Sequence, residues 1–350
     1  MAKKIFSIPL NPMMDENYFN DIFIPFLNEY KDWIYDIYFT CRIEPFLQDA
    51  MGVPISEYDR NQVFENAMVI QEQSDIRVSA TFNNVSVSPK YDNYKLFVEN
   101  LKPLYDVGLR SATIPHGHWI AMGFKNHFPE MEIKNTILRK VATAQDYVSH
   151  AEQGFDYINL DRILMRDYDE LANIKRAQKY FEDKHGRFVK IALLTNEGCL
   201  GRCPLMDEHF SYNNLKEENE VPYFYHEISK ISCQYKWEKE DPAFFFKVAT
   251  IPPFKKEYDE LLKYVQIFKM HGRENLRILE DTIYLVKCYA NGNKILTENL
   301  NINVNNISLD GVPHTELINW RKHIKRCKFQ CWDCNYCDVI AQFKQKNAKN

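Results

Sequence analysis

Short apolar runs alternate along the chain with longer stretches in which apolar positions recur three and four residues apart. Strands of a parallel sheet and the helices that connect them leave that succession in a sequence. Ile5 to Leu10 reads as the first strand. Beyond Asn11 and Pro12, the residues Tyr18, Phe19, Ile22, Phe23, Phe26, Leu27 and Tyr30 make one broad apolar face, so a helix there covers that strand. Trp33 to Thr40, Arg77 to Phe82 and Arg110 to Ile114 are the second, third and fourth strands. Lys134 to Thr143 contains a fifth, with a helix starting near Ala144, and Asp156 to Leu160 is a sixth. The next helix places Tyr168, Leu171, Ile174 and Phe181 on one side. Phe188 to Thr195 is the seventh strand, Val265 to Met270 the eighth, and the helix behind it buries Leu276, Leu279, Ile283 and Val286. Eight strands with helices behind most of them predict an α/β fold, a (β/α)8 TIM-like barrel, although a doubly wound sheet leaves the same alternation.

The barrel is expected to occupy residues 1–292, with a cysteine-rich C-terminal extension over 293–350. The segment from Ser211 to Phe254 breaks the alternation and reads as a long loop over the mouth. No short-period repeat or low-complexity stretch interrupts the chain, and its end, QFKQKNAKN, reads as a frayed tail. Polar residues at strand C-termini gather at one mouth of such a barrel, where chemistry sits. That rule lines up Asn11, Cys41, Asn83, His116, Asp161, Arg162, Cys199 and Arg273.

Charge narrows the function. With 44 Lys and Arg against 48 Asp and Glu, a net charge of -4, the chain has no global field that draws it to nucleic acid or an anionic membrane. A small molecule is therefore favoured over large RNA as partner. The apolar run IFSIPL behind the basic MAKK is too short for a signal-peptide core, and no run approaches the ~20 apolar residues of a membrane helix. The expected place is the cytoplasm. Nine cysteines there point to metal or redox chemistry and not to a disulfide framework.

The cysteines are grouped. Cys199 and Cys203 lie in LLTNEGCLGRCPLMDEHF, where an apolar run ends in a loop relieved by Gly198 and Gly201. Cys233 follows, and Cys327, Cys331, Cys334 and Cys337 crowd into CKFQCWDCNYC. Thiolates are the metal-binding form of cysteine, and four of them suit an iron-sulfur cluster. Zinc is the rival, above all at the CxxC spacings of the C-terminal group. The candidate cluster set is Cys199, Cys203 and Cys233, completed by Cys334 of the C-terminal group or by Cys41. Cys41 and Cys288 also read as buried free thiols, which are common in cores. Cys327, Cys331 and Cys334 share the CxxxCxxC spacing of radical-SAM enzymes, but in those it follows the first strand and here it lies past the last helix.

Other candidates are weaker. His116 and His118 follow the fourth strand, and His116 suits proton transfer near neutral pH. His209 follows the cysteine loop and suits a hydrogen bond to a cluster sulfur. Arg162 either pairs with Asp161 or joins Arg273 in offering bidentate donors to a carboxylate or phosphate. No GxSxG elbow or HExxH helix is present for proteolysis.

Three motifs, NEGCLGRCP with His209 and Phe210 behind it, INLDR with the acidic Asp167 to Glu170, and FKMHGR at Phe268 to Arg273, resemble the peptidase U32 family. The resemblance runs from about Asn135 to Gly292 and implies a TIM-like barrel, with a [4Fe-4S] cluster held by cysteines at its mouth in several members. It further implies oxygen-independent hydroxylation or another redox modification of a small molecule or an RNA base. Under that reading Cys199, Cys203, Cys233 and Cys334 bind the cluster, and His116, Arg162 and Arg273 serve the substrate. A peptidase, as the family name suggests, and a cluster-bearing non-catalytic partner of a second barrel protein are the alternatives. The chain departs from the family at Met270 and His271, and its C-terminal CKFQCWDCNYC is not shared by the better known hydroxylases.

Overall fold

The computed structural model describes residues 4–46, 57–203, 205–208, 241–251, 254–273, 275–301, 309 and 311–347. Cys233, His209 and most of the Ser211 to Phe254 segment lie outside them.

Eight parallel strands close into a barrel in sequence order. They are β1 (Phe6–Pro9), β2 (Ile34–Thr40), β3 (Val78–Thr81), β4 (Ser111–Ile114), β5 (Glu132–Asn135), β6 (Tyr157–Leu160), β7 (Lys190–Leu194) and β8 (Ile267–Lys269). β8 pairs with β7 on one side and with β1 on the other, Phe6 opposite Phe268, which seals the cylinder. Each strand falls within the expected stretch except β5, which begins two residues earlier. Beyond it, Thr136 caps a 3-10 turn, Ile137–Arg139, by accepting from the Leu138 N–H at 3.3 Å, and Lys140 is left-handed. The rest of the apolar run contributes a single bridge, Val141 to Leu160.

The expected first helix forms as a π-turn, Tyr18–Phe23, running into an α-helix, Ile24–Tyr30. Pro25 explains the join. It has no N–H for an α-helical bond, and the adjacent Ile24 N–H reaches Phe19 O, one residue wider than α-helical spacing. The helix Tyr168–His185 buries Tyr168, Leu171, Ile174 and Phe181, as its spacing requires. In the helix Leu276–Ala290, Leu279, Ile283 and Val286 are buried.

Most of the core lies between sheet and helices, where Phe23, Phe26, Phe39, Phe82, Phe97, Phe124, Trp119 and Tyr147 are fully enclosed. The barrel interior is different. Barrels of this kind fill their centre mostly with branched apolar side chains. Here Asp36 of β2 pairs with Lys134 of β5. Those strands are not neighbours, so the pair crosses the lumen. Ser7 donates to Asp36, while Lys190 and Arg77 lie 2.8 and 3.1 Å from Glu132. Burial pushes the Glu132 carboxyl up, but Lys134, Lys190 and Arg77 outweigh it and hold the group at about 2.

The C-terminal segment belongs to the same core. Trp320 and Ile324 of the helix His314–Ile324, and Ile340 and Ala341 of the helix Tyr336–Asn347, pack into the main hydrophobic cluster. Among the described residues no helix is long and apolar enough to cross a membrane.

Candidate metal centre and barrel mouth

All strand C-termini open on one face, and the loops there carry three separate constellations. The first follows β6 and β7. Asp161 caps the turn Arg162–Arg166 by accepting from the Ile163 N–H at 3.0 Å. Arg162 is buried, and its pairing partner is Glu197 at 2.8 Å. Burial disfavours the guanidinium charge, but Glu197 and Cys199 outweigh it and hold Arg162 firmly protonated. The Cys199 thiol lies against that guanidinium. Burial pushes the thiol up, Arg162 draws it down, and Glu197 adds to the rise. The loop needs Gly201. Its φ is +73, and a Cβ there would stand 2.7 Å from Ile163 Cγ2 and 2.9 Å from Ala249 Cβ. Cys203 is half-buried on the same loop.

The second constellation holds all four C-terminal cysteines. Cys327, Cys331, Cys334 and Cys337 line one small recess together with Arg166, Lys247 and His323. It stands beside the mouth because Cys327 N–H donates to Arg166 O at 3.0 Å and Arg326 bridges to Asp167, both just past β6. Arg166 is fully buried. Its guanidinium donates to the carbonyls of Phe246, Ala249 and Thr250, and among the described residues it has no carboxylate partner. The Trp320 indole N–H is also buried without an oxygen or nitrogen acceptor. Burial pushes the Cys337 thiol up, whereas Arg166 and Trp320 draw it toward the thiolate. Cys331 is raised by burial and then by Cys327, Cys337 and Cys334, so these sulfurs feel one another. Cys334 Sγ is 3.2 Å from His323 Nε2, and His323 stacks on Tyr336 with ring centres 4.1 Å apart.

Cys334 stands with the C-terminal quartet, whereas the charged neighbours of Cys199 are Arg162 and Glu197, and Cys233 lies outside the described residues. Cys41 and Cys288 are buried in the core, and burial pushes the Cys41 thiol to about 12.

The third constellation is the mouth proper. His116 is buried, its Nε2 donating to Val87 O at 2.7 Å and its Nδ1 accepting from Arg139 at 2.8 Å. Burial, with Arg139 and His118 nearby, lowers its proton affinity although Val87 O opposes the shift. Both ring nitrogens are engaged in holding loops. Arg273 donates to Thr40 Oγ1 at 2.8 Å, and its guanidinium carbon lies 5.5 Å from the centre of the Tyr38 ring. The turn that carries it is pinned: Asn11 Nδ2 donates to Gly272 O at 2.6 Å, and Gly272, at φ +137, lies so close to the next helix that a Cβ would meet Leu279 N at 3.0 Å. Lys269, the last residue of β8, sets its amine 4.5 Å from the same Tyr38 ring.

Sequence reasoning passed over Arg166, His323, Glu197 and, as a site residue, Lys269. One signal was available. A lysine or aspartate inside an otherwise apolar parallel strand, as in IFK, EIK and IYDIYFT, marks a side chain that faces a polar lumen.

No protein-family model matches the chain, and no curated protein matches it. It is similar to a solved structure of a U32 peptidase, Mk0906, at 12% identity and a TM-score of 0.47, over 78% of this chain and 94% of that one. The barrel assignment itself rests on the strand pairing described above.

Proposed function

We propose that this protein is an iron-sulfur enzyme in which Cys327, Cys331, Cys334 and Cys337 hold a [4Fe-4S] cluster beside the barrel mouth. Its substrate, a small molecule or a nucleobase, undergoes oxygen-independent hydroxylation or another redox change at that mouth. The observation that carries the reading is the buried Arg166 guanidinium, without a carboxylate partner among the described residues, beside four thiols that line one recess. A buried cation is costly unless an anion faces it. Thiols that line one recess ionise together when a metal supplies the positive charge. Among the described residues no three His, Cys, Asp or Glu side chains converge as ligands of a single ion. A cubane binds each thiolate through a different iron and so takes the wider spacing.

When bound, the cluster supplies electron transfer or Lewis acidity. The chain's own groups do the rest. Arg166 and the Trp320 N–H would stabilise the Cys337 thiolate, and His323 Nε2, 3.2 Å from Cys334 Sγ, would position that ligand. Protein prepared without oxygen is expected to be brown and to hold iron and sulfide in equal amounts. Cys331→Ser and Cys334→Ser should lose both, and Cys199→Ser should keep them. Stoichiometric zinc with no iron after anaerobic reconstitution would sink the proposal. The substrate is sought by comparing small metabolites and RNA nucleosides from cells with and without the gene, grown without oxygen. A thiol peptidase would draw on Cys334 and His323 as nucleophile and base, so peptide hydrolysis by metal-free protein, abolished in Cys334→Ser, would favour that reading instead.

A further inference from the structure

The lumen and its mouth carry two groups of charged side chains. Toward the N-terminal ends of the strands, Asp36 and Glu132 are matched by Lys134, Lys190 and Arg77. At the mouth, Lys269 and Arg273 stand together against one face of the barrel wall with no carboxylate partner among the described residues. Lys269 sets its amine 4.5 Å from the centre of the Tyr38 ring, and Arg273 has the same ring and the Thr40 hydroxyl. Tyr38 is itself fixed, its hydroxyl donating to Met270 O at 2.5 Å. Two neighbouring cations, held by a rigid ring and a pinned turn, at the strand ends where barrel substrates bind, are electrostatically incomplete without an anion.

We propose that Lys269 and Arg273 are the anchor for an oxyanion, a carboxylate or a phosphate, on the substrate of this barrel. Arg273 offers the planar fork that matches two oxygens of such a group, and Lys269 offers a point charge. The groups that face the Lys269 amine are Arg273 on the turn that follows β8, Lys134 and Asp36 across the lumen, and Tyr38 on β2. Burial first, then Arg273 and Lys134, lower its proton affinity to about 7, with Asp36 opposing. An arriving anion reverses the balance, so the amine takes up a proton as the anion binds. The inference rests on the mouth being the substrate site and is independent of which metal the C-terminal cysteines hold.

Isothermal titration calorimetry of the full chain with inorganic phosphate in one arm and succinate in the other tests it, each in two buffers of different ionisation enthalpy. The expected result is saturable binding of one probe, with uptake approaching one proton at about pH 8 and little uptake at about pH 6, below the amine's own midpoint. Lys269→Met should abolish the uptake, and both Lys269→Met and Arg273→Gln should weaken binding by about tenfold or more. Thermal unfolding without probe guards against misfolding, since a variant that has lost an unmatched cation should melt no lower than the native chain. Phosphate and succinate arms tell the two anion sources apart. The proposal is overturned if neither probe binds, or if binding and proton uptake persist unchanged in both variants. Iron and sulfide content of the same samples reports on the cluster separately.

Discussion

Lys269 and Glu132 occupy one lumen and respond to pH in opposite ways. Lys269 is lowered from 10.5 to about 7, so between those values the unfolded chain binds the extra proton and stability rises with pH. Below pH 7 both states are charged and the cost of the buried ammonium is complete. The stability gain from Lys269→Met, read as a urea midpoint, should therefore be largest near pH 6 and shrink as pH rises toward 10. Glu132 is lowered from 4.5 to about 2 by its three cations. Its contribution is complete well above pH 4.5 and is lost as pH falls through 2, so Glu132→Gln should cost roughly 3 kcal/mol at neutral pH and progressively less toward pH 2. An unchanged urea midpoint at neutral pH would remove Glu132 from any structural role. Thiol accessibility separates the cysteines in the same way. The Cys41 and Cys331 thiols are both raised, but Cys41 is enclosed in the core and should resist iodoacetamide in the native metal-free protein, whereas solvent-accessible Cys331 should be alkylated, as peptide mass spectrometry will show.

At the scale of the elements, the strands and most helices were legible because parallel strands buried on both faces read as apolar runs bounded by polar residues. β5 was misplaced because Thr136 carries a cap that a hydropathy pattern does not encode, and the run therefore breaks into a strand and a bridge. The pairing of Arg162 with Glu197 was not legible either, since the partners sit on adjacent strand ends 35 residues apart in sequence. The glycines of the cysteine loop were legible as punctuation, but only the fold distinguishes them. Gly198 has open space where a Cβ would go, whereas Gly201 has Ile163 and Ala249 in contact and a left-handed backbone. Gly201→Ala should consequently destabilise the protein by about 1–3 kcal/mol, and Gly198→Ala should leave the denaturation midpoint nearly unchanged. Equal effects of the two substitutions would mean that the loop relaxes freely and does not hold Cys199 against Arg162.

At the scale of the molecule, the boundary near residue 292 suggested by the sequence separates compositions and not cores. A cysteine-rich tail in isolation is too small to bury much surface, and its stability would have to come from a metal. Here Trp320 and Ile324 are inserted into the main cluster, Lys325 and Arg321 pair with Glu260 and Glu257, and the Cys327 backbone is bonded to Arg166 at the mouth. Tail and barrel therefore pack into one hydrophobic cluster, and the recess has a wall from each: Arg166 and Lys247 from the barrel side, His323 and the cysteines from the tail. Two consequences follow from that shared wall. Trp320→Ala, which empties a fully buried site, should destabilise the protein by about 3–5 kcal/mol and, under the proposed cluster, also release iron, because the indole N–H beside Cys337 is lost with it. Under the proposed cluster, removing iron should lower the melting point of the whole protein, since Arg166 would then stay buried without a counter-charge. Calorimetry decides between this and a detached module. Two separate transitions, or a barrel that melts at the same temperature with and without iron, would show that the cysteines fold apart from the mouth and that Arg166 is not their electrostatic partner.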